Sequence, residues 1–219
     1  MIFTRLIGIR CYTRIRSYCQ KERTGLCPPN QFCRKGDQGE THTHQGDVQP
    51  KDHEIFEVLG TTEELLCFLG IAKEHAREAN HIYVDKLKRI QTLVIEIQTC
   101  LMKYKDNSEK NITHLHIKEL EDWTKTYERE LPPPENYIIP GGGLTAASLH
   151  LSRAACRKAE RRVIPFVRRG EISQPVQVYL NRLSDFLLIL SRIAAKLDKQ
   201  NEHIYVPIEG GKQKNKNNP

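Results

Sequence analysis

Apolar residues recur at helical spacing through most of the chain and gather into five segments. From Asp52 to about Ala79, Ile55, Phe56, Val58, Leu59, Leu65, Leu66, Phe68, Leu69 and Ala72 predict a long buried helix. Gly60-Thr61-Thr62 interrupts its period little. A second helix is predicted from about His81 to Lys103 on Val84, Leu87, Ile90, Leu93, Val94, Ile97 and Leu101. After a polar turn at Asp106 to Asn111, a third spans Ile117 to Leu131, with Leu120, Trp123 and Tyr127 on one side. Pro132-Pro133-Pro134 ends it. Pro140-Gly141-Gly142-Gly143 does not continue a helix, so a fourth begins after the glycines, with Thr145 or Ser148 as cap, and runs to Pro165. A loop at Arg168 to Glu171 leads to the fifth, from about Gln174 to Lys196, on Val178, Leu180, Leu183, Phe186, Leu187, Leu190 and Ile193. No segment carries a convincing strand pattern. Five helices with short connections predict an all-α fold, a five-helix up-and-down bundle.

The polar positions of the fourth helix are the most informative. At about 100° per residue, Arg153, Arg157, Glu160 and Arg161 share an arc of roughly 100°, while Lys158 and Arg162 point away. Guanidinium forks match phosphate oxygens two at a time, so such a row suits a polyphosphate. Glu160 either fixes the arginine rotamers through i,i+3 and i,i+4 pairs or binds a ribose hydroxyl. A solvated, salt-bridged face is the plain alternative. The glycine turn favours the anion, because bare N–H groups beside a helix start attract negative charge.

Composition narrows the classes. The chain of 219 residues suits one domain with flexible ends. Its net charge of +7 sits at the ends: Arg5, Arg10, Arg14, Arg16 and Lys21 in a leader, Lys212, Lys214 and Lys216 in a tail. The remainder is near neutral, so a nucleic-acid partner loses its support. Met1 to Gln20 is Arg-rich and free of acidic residues, and reads as a mitochondrial transit peptide. No membrane-spanning segment is present. The seven cysteines form no CxxC pair and read as reduced, mostly structural thiols, with Cys67, Cys100 and Cys156 among apolar helical neighbours. The nine histidines give no metal-binding spacing; only His42 and His44, flanking Thr43, invite a metal reading at all. Phe32 to Lys51 is polar, glycine-spaced and without helical or strand period, and reads as a loop that is not a Walker A sequence. The expected organisation is a transit peptide at 1–25, a loop segment at 26–51, a helical bundle at 52–205 and a disordered basic tail at 206–219.

Pro140-Gly141-Gly142, Leu149-His150, Arg153 and Arg157-Lys158-Ala159-Glu160-Arg161-Arg162 resemble the signature helix of PduO-type ATP:cob(I)alamin adenosyltransferases. Asn181-Arg182-Leu183-Ser184-Asp185-Phe186-Leu187 resembles that family's second signature at a matching separation. The resemblance runs from about Phe32 to Tyr205. It implies attack of cob(I)alamin on the 5′-carbon of ATP, giving adenosylcobalamin and triphosphate, with ATP and cob(I)alamin as substrates and Mg2+ accompanying the nucleotide. It implies ATP contacts at Cys33, Arg34, Lys35, Gly36, Thr41, His42, Lys51, Arg157, Lys158, Ala159, Glu160, Arg161 and Asn181. The catalytic set it implies is Arg157, Arg161, Glu160 and Tyr137, the last crowding the lower face of the corrin. It also implies a structural ion pair between Glu63 and Arg153, a homotrimer with interfacial sites, no resident metal, and an adenosylcobalamin-dependent mutase in the mitochondrial matrix as recipient.

The sequence departs from the family's pattern at Cys33, Lys35, Gln38, Glu63, Leu66, Tyr137 and Lys158. Those departures sustain an alternative, a cobalamin-binding carrier or interaction bundle of the same fold without catalysis.

Overall fold

The protein is described by a computed structural model over residues 34–43, 46–104, 112–133 and 137–205. The transit-peptide reading, Cys33, His44 and the basic tail lie outside the described residues. The chain divides into two compact units, Met1–Phe56 and Glu57–Pro219.

In the first unit a 3-10 turn, Arg34–Gln38, leads through Gly39 into strand β1, Glu40–His42, which pairs antiparallel with β2, Val48–Pro50. The register sets Thr41 opposite Gln49. Gly39 has φ 81, a left-handed conformation that favours glycine. The expected irregular loop is therefore a small hairpin. Strands of three residues are too short to print an alternation on the sequence.

The second unit carries the bundle. Helix α1 is Glu54–Glu78, α2 Val84–Met102, α3 His114–Glu128, α4 Leu144–Arg168 and α5 Gln174–Leu197. Helix α5 is the packing axis, and both α4 and α3 lie along it. Its Leu180, Leu183, Phe186, Leu187 and Leu190 are buried at the 3–4 spacing of one helical stripe. Each such side chain contributes about 1.5–3 kcal/mol of burial. Trp123 and Tyr127 of α3 meet Phe186 at ring-centroid distances of 5.9 and 6.2 Å.

Among the boundaries that differ from expectation, three have an evident local reason. Helix α3 starts at His114 rather than Ile117, because Thr113 caps it and the Thr113 N–H donates to His116 Nδ1 at 3.3 Å. Helix α4 is capped by neither Thr145 nor Ser148. Its cap is Gly143, at φ 94, whose carbonyl accepts the Ala147 N–H at 2.9 Å; Thr145 is buried and Ser148 Oγ donates to Leu144 O. Nor does α4 stop at Pro165. It continues to Arg168, because proline withholds one N–H while its own carbonyl still accepts from Arg169 at 3.1 Å.

A two-residue ribbon closes one end: β3, Ile138–Ile139, pairs with β4, His203–Ile204, and Tyr205 N–H donates to Tyr137 O at 2.8 Å. No strand was expected here either. The glycine turn presses against the end of α5, since a Cβ on Gly142 (φ 83) would lie 2.8 Å from Ala195 Cβ. Beside it, His81 Nε2 meets Asp198 Oδ1 at 2.8 Å and His81 Nδ1 meets the Tyr83 hydroxyl at 2.6 Å. Burial, and then the Asp198 carboxylate, push the Tyr83 hydroxyl far above its usual range, so it remains a donor to His81. His81 then donates through Nε2 to Asp198, and all three groups are satisfied.

Candidate functional site

Helix α4 divides its charges by direction. Lys158 Nζ pairs with Glu64 Oε2 at 2.9 Å and Arg162 Nη2 with Glu57 Oε1 at 3.4 Å, tying α4 to α1. Glu57 and Glu64 are seven residues apart, two turns on one face, and so meet two cations four residues apart. On the other side Arg157 and Arg161 are exposed, and among the described residues neither has an ion-pair or hydrogen-bond partner. Two free guanidiniums one turn apart form a ready seat for a multiply charged anion.

Glu160, beside them, is half-buried and held. Asn181 Nδ2 of α5 donates to Glu160 Oε1 at 2.9 Å, and Arg182 Nη1 donates to Asn181 Oδ1 at 2.8 Å. Two segments singled out separately in the sequence thus share a hydrogen bond. Arg182 Nε also donates to Glu121 Oε1 of α3 at 3.0 Å. Glu121 escaped the sequence reading because its partner lies 61 residues away and no local spacing marks it.

Arg153 and Ala159 complete the description of this helix. The ion pair of Glu63 with Arg153 does not form within the chain. Glu63 is exposed and Arg153 Nε is buried with no partner among the described residues, because Arg153 lies on the opposite side of α4 from the face that meets α1. Ala159 is fully buried on the core side of α4, so its side chain packs rather than meeting a ligand.

Cys156 is buried, donates through Sγ to Leu180 O at 3.2 Å, and burial drives its thiol far up, which marks it as structural. Cys67, expected among apolar neighbours, is exposed. His150 is half-buried; burial, then Arg153, hold its pKa below the usual histidine value, against the smaller opposing effect of Glu202. Tyr137 is 71 % exposed just before β3, so its ring is free to meet a partner.

In the first unit, Lys51 Nζ donates to Gly36 O at 2.7 Å, and Lys51 N–H donates to Gly39 O at 2.7 Å. A Cβ on Gly36 would stand 2.8 Å from Lys51 Nζ, so the glycine makes room for the ammonium. Thr41 and His42 lie on β1, half-buried and exposed respectively, and Arg34 and Lys35 lie in the 3-10 turn. Among the described residues no three His, Cys, Asp or Glu side chains gather as metal ligands. Nor is any helix there long and apolar enough to cross a membrane.

The profile of the cobalamin adenosyltransferase family matches residues 31–194. This chain belongs to that family. Among its relatives, the corrinoid adenosyltransferase MMAB of Homo sapiens is 38% identical over 184 residues, 81% of this chain and 74% of the relative. The Mus musculus protein of the same name is 36% identical over 192 residues, covering 85% and 81%. The corrinoid adenosyltransferase of Bacillus subtilis is 31% identical over 165 residues, covering 74% and 84%. A variant PduO-type ATP:corrinoid adenosyltransferase from Lactobacillus reuteri, complexed with cobalamin and ATP, superposes with a TM-score of 0.73 at 26% identity. The superposition covers 80% of this chain and 95% of that one. Another variant of that enzyme, complexed with ATP, gives 0.74 at 27% identity, covering 80% and 100%. The bundle seen here is thus the adenosyltransferase fold, and the Glu160–Asn181 bond joins the two segments by which the family was recognised in the sequence.

Proposed function

We infer that this adenosyltransferase moves the 5′-deoxyadenosyl group of ATP onto cob(I)alamin, with triphosphate as the leaving group. The observation that carries the reading is the α4 face, where unpartnered Arg157 and Arg161 flank a Glu160 held by Asn181. The cobalt(I) lone pair forms the Co–C5′ bond as the C5′–O bond breaks, and that electron pair leaves on the triphosphate oxygen. The corrin supplies the nucleophile, so the protein needs none of its own. Its task is to orient the reactants and to neutralise charge growing on the leaving oxygen. Arg157 and Arg161 take that role on α4, and in the first unit Lys51 and the Gly36 loop offer further donors to phosphate. Glu160 orients an arginine or the ribose. Mg2+ travels with the nucleotide, held by phosphate oxygens and needing few protein ligands. Tyr137 offers an exposed ring to the lower corrin face.

The Arg-rich, acid-free leader supports action in the mitochondrial matrix, where an adenosylcobalamin-dependent mutase would receive the product. A homotrimer accounts for two groups that the described residues of one chain leave unmatched. The buried, unpartnered Arg153 Nε and the exposed Glu63 are free to pair between copies. The reaction is tested anaerobically with chemically reduced cobalamin, with and without ATP, following the adenosylcobalamin spectrum. ATP-dependent product supports the enzyme; tight cobalamin binding without product would replace it by the carrier reading.

A further inference from the structure

Glu121 lies on α3, which carries neither signature segment, yet its carboxylate ends a chain of hydrogen bonds that begins at the nucleotide face. The chain runs from Glu160 on α4 to Asn181 and Arg182 on α5 and then to Glu121, with links of 2.9, 2.8 and 3.0 Å. Its direction is fixed at every link. A guanidinium only donates and a carboxylate only accepts. Asn181, placed between them, therefore has one stable orientation, with its oxygen toward Arg182 and its nitrogen toward Glu160. Turned over, the amide would set NH2 against a guanidinium and a carbonyl against a carboxylate. Both bonds would be lost.

Arg182 has a competing acceptor. Asp185 Oδ2 lies 3.9 Å from Arg182 Nη1, one helical turn along α5. Without Glu121, the guanidinium is free to swing to Asp185 and leave Asn181 Oδ1 bare. We propose that Glu121 is a positioning residue for the nucleotide: through Arg182 it fixes the Asn181 carboxamide and so the Glu160 carboxylate. This rests on the reading of the α4 face as an ATP site. The Arg182–Glu121 pair is 43% and 39% exposed, so it contributes little to folding, and its geometric role is separable from a structural one.

The test compares Glu121→Ala and Glu121→Gln in the parent and in an Asn181→Ala background. Loss of one charge-assisted link is expected to raise KM for ATP about fivefold in Glu121→Ala, leaving KM for cob(I)alamin and the thermal midpoint unchanged. Glu121→Gln keeps an acceptor for Arg182 Nε and should restore most of the loss. In the Asn181→Ala background Glu121→Ala should add nothing, because the relay is already cut. Should Glu121→Ala not fold, Arg182→Lys, which cannot span both partners, takes its place with the same expected rise. An unchanged KM for ATP, or an equal loss with and without Asn181, overturns the proposal. If the parent forms no adenosylcobalamin, the catalytic reading fails separately. The relay is then judged from the Asn181 side-chain amide resonances: shifted in Glu121→Ala if the relay exists, identical to the parent if it does not.

Discussion

Arg157 and Lys158 are sequence neighbours with opposite duties, which follow from the 100° that separates them on α4. Lys158 pairs with Glu64 of α1, whereas Arg157 has no partner among the described residues. An unpartnered cation aimed at a leaving phosphate is worth far more to a transition state than an exposed ion pair is to folding. Steady-state kinetics should therefore show Arg157→Ala losing about a hundredfold in kcat/KM for ATP. Arg162→Ala, which cuts only the tie to Glu57, should lose less than about fivefold. Similar losses in the two variants would refute the division of faces.

His150 supplies a pH signature at the same scale. Its pKa in the folded protein lies below 6.5, through burial and Arg153. Below 6.5 the unfolded chain takes up a proton that the folded chain resists, so stability is present above that pH and is lost as pH falls toward the lowered value. Denaturation midpoints at pH 7.5 and 5.5 should fall further apart in the parent than in His150→Gln.

At the scale of elements, the glycine turn sets where α4 begins. Gly142 has φ 83 and stands where a Cβ would overlap Ala195 of α5. Gly142→Ala should thus cost about 1–3 kcal/mol, read as a lower thermal midpoint, through backbone strain and a displaced helix end. The start of α4 after the glycines, and the helical extent of all five segments to within a few residues, were legible because apolar periodicity and Gly or Pro punctuation are local signals. What escaped were features made by distant partners. The β3–β4 ribbon joins Ile138 to Ile204, and two-residue strands leave no pattern. Pro165 reads as a terminator locally, but the continuing helix accommodates one missing N–H. His81 drew no attention because its meaning lies in Asp198, 117 residues away.

At the scale of the molecule, the candidate site was legible in kind and only partly in geometry. The Arg157, Glu160, Arg161 cluster follows from helical phase, and its bond to Asn181 follows from the packing of α4 on α5. The Glu63–Arg153 pair is not made in the single chain, and the proposed homotrimer is where it would form. If the proposed homotrimer forms, Glu63→Arg and Arg153→Glu should each weaken it in size-exclusion chromatography with light scattering, and combining them should restore it. Monomers throughout, parent included, would remove the interfacial site from the account.

The most direct measurement counts products. With cobalamin held as cob(I)alamin under strong anaerobic reduction and ATP supplied, adenosylcobalamin is followed by its spectrum and triphosphate is quantified from the same reaction. One triphosphate is expected for each adenosylcobalamin, with both nearly abolished together in Arg157→Ala. Cobalamin bound but unaltered, with no triphosphate released, would contradict it.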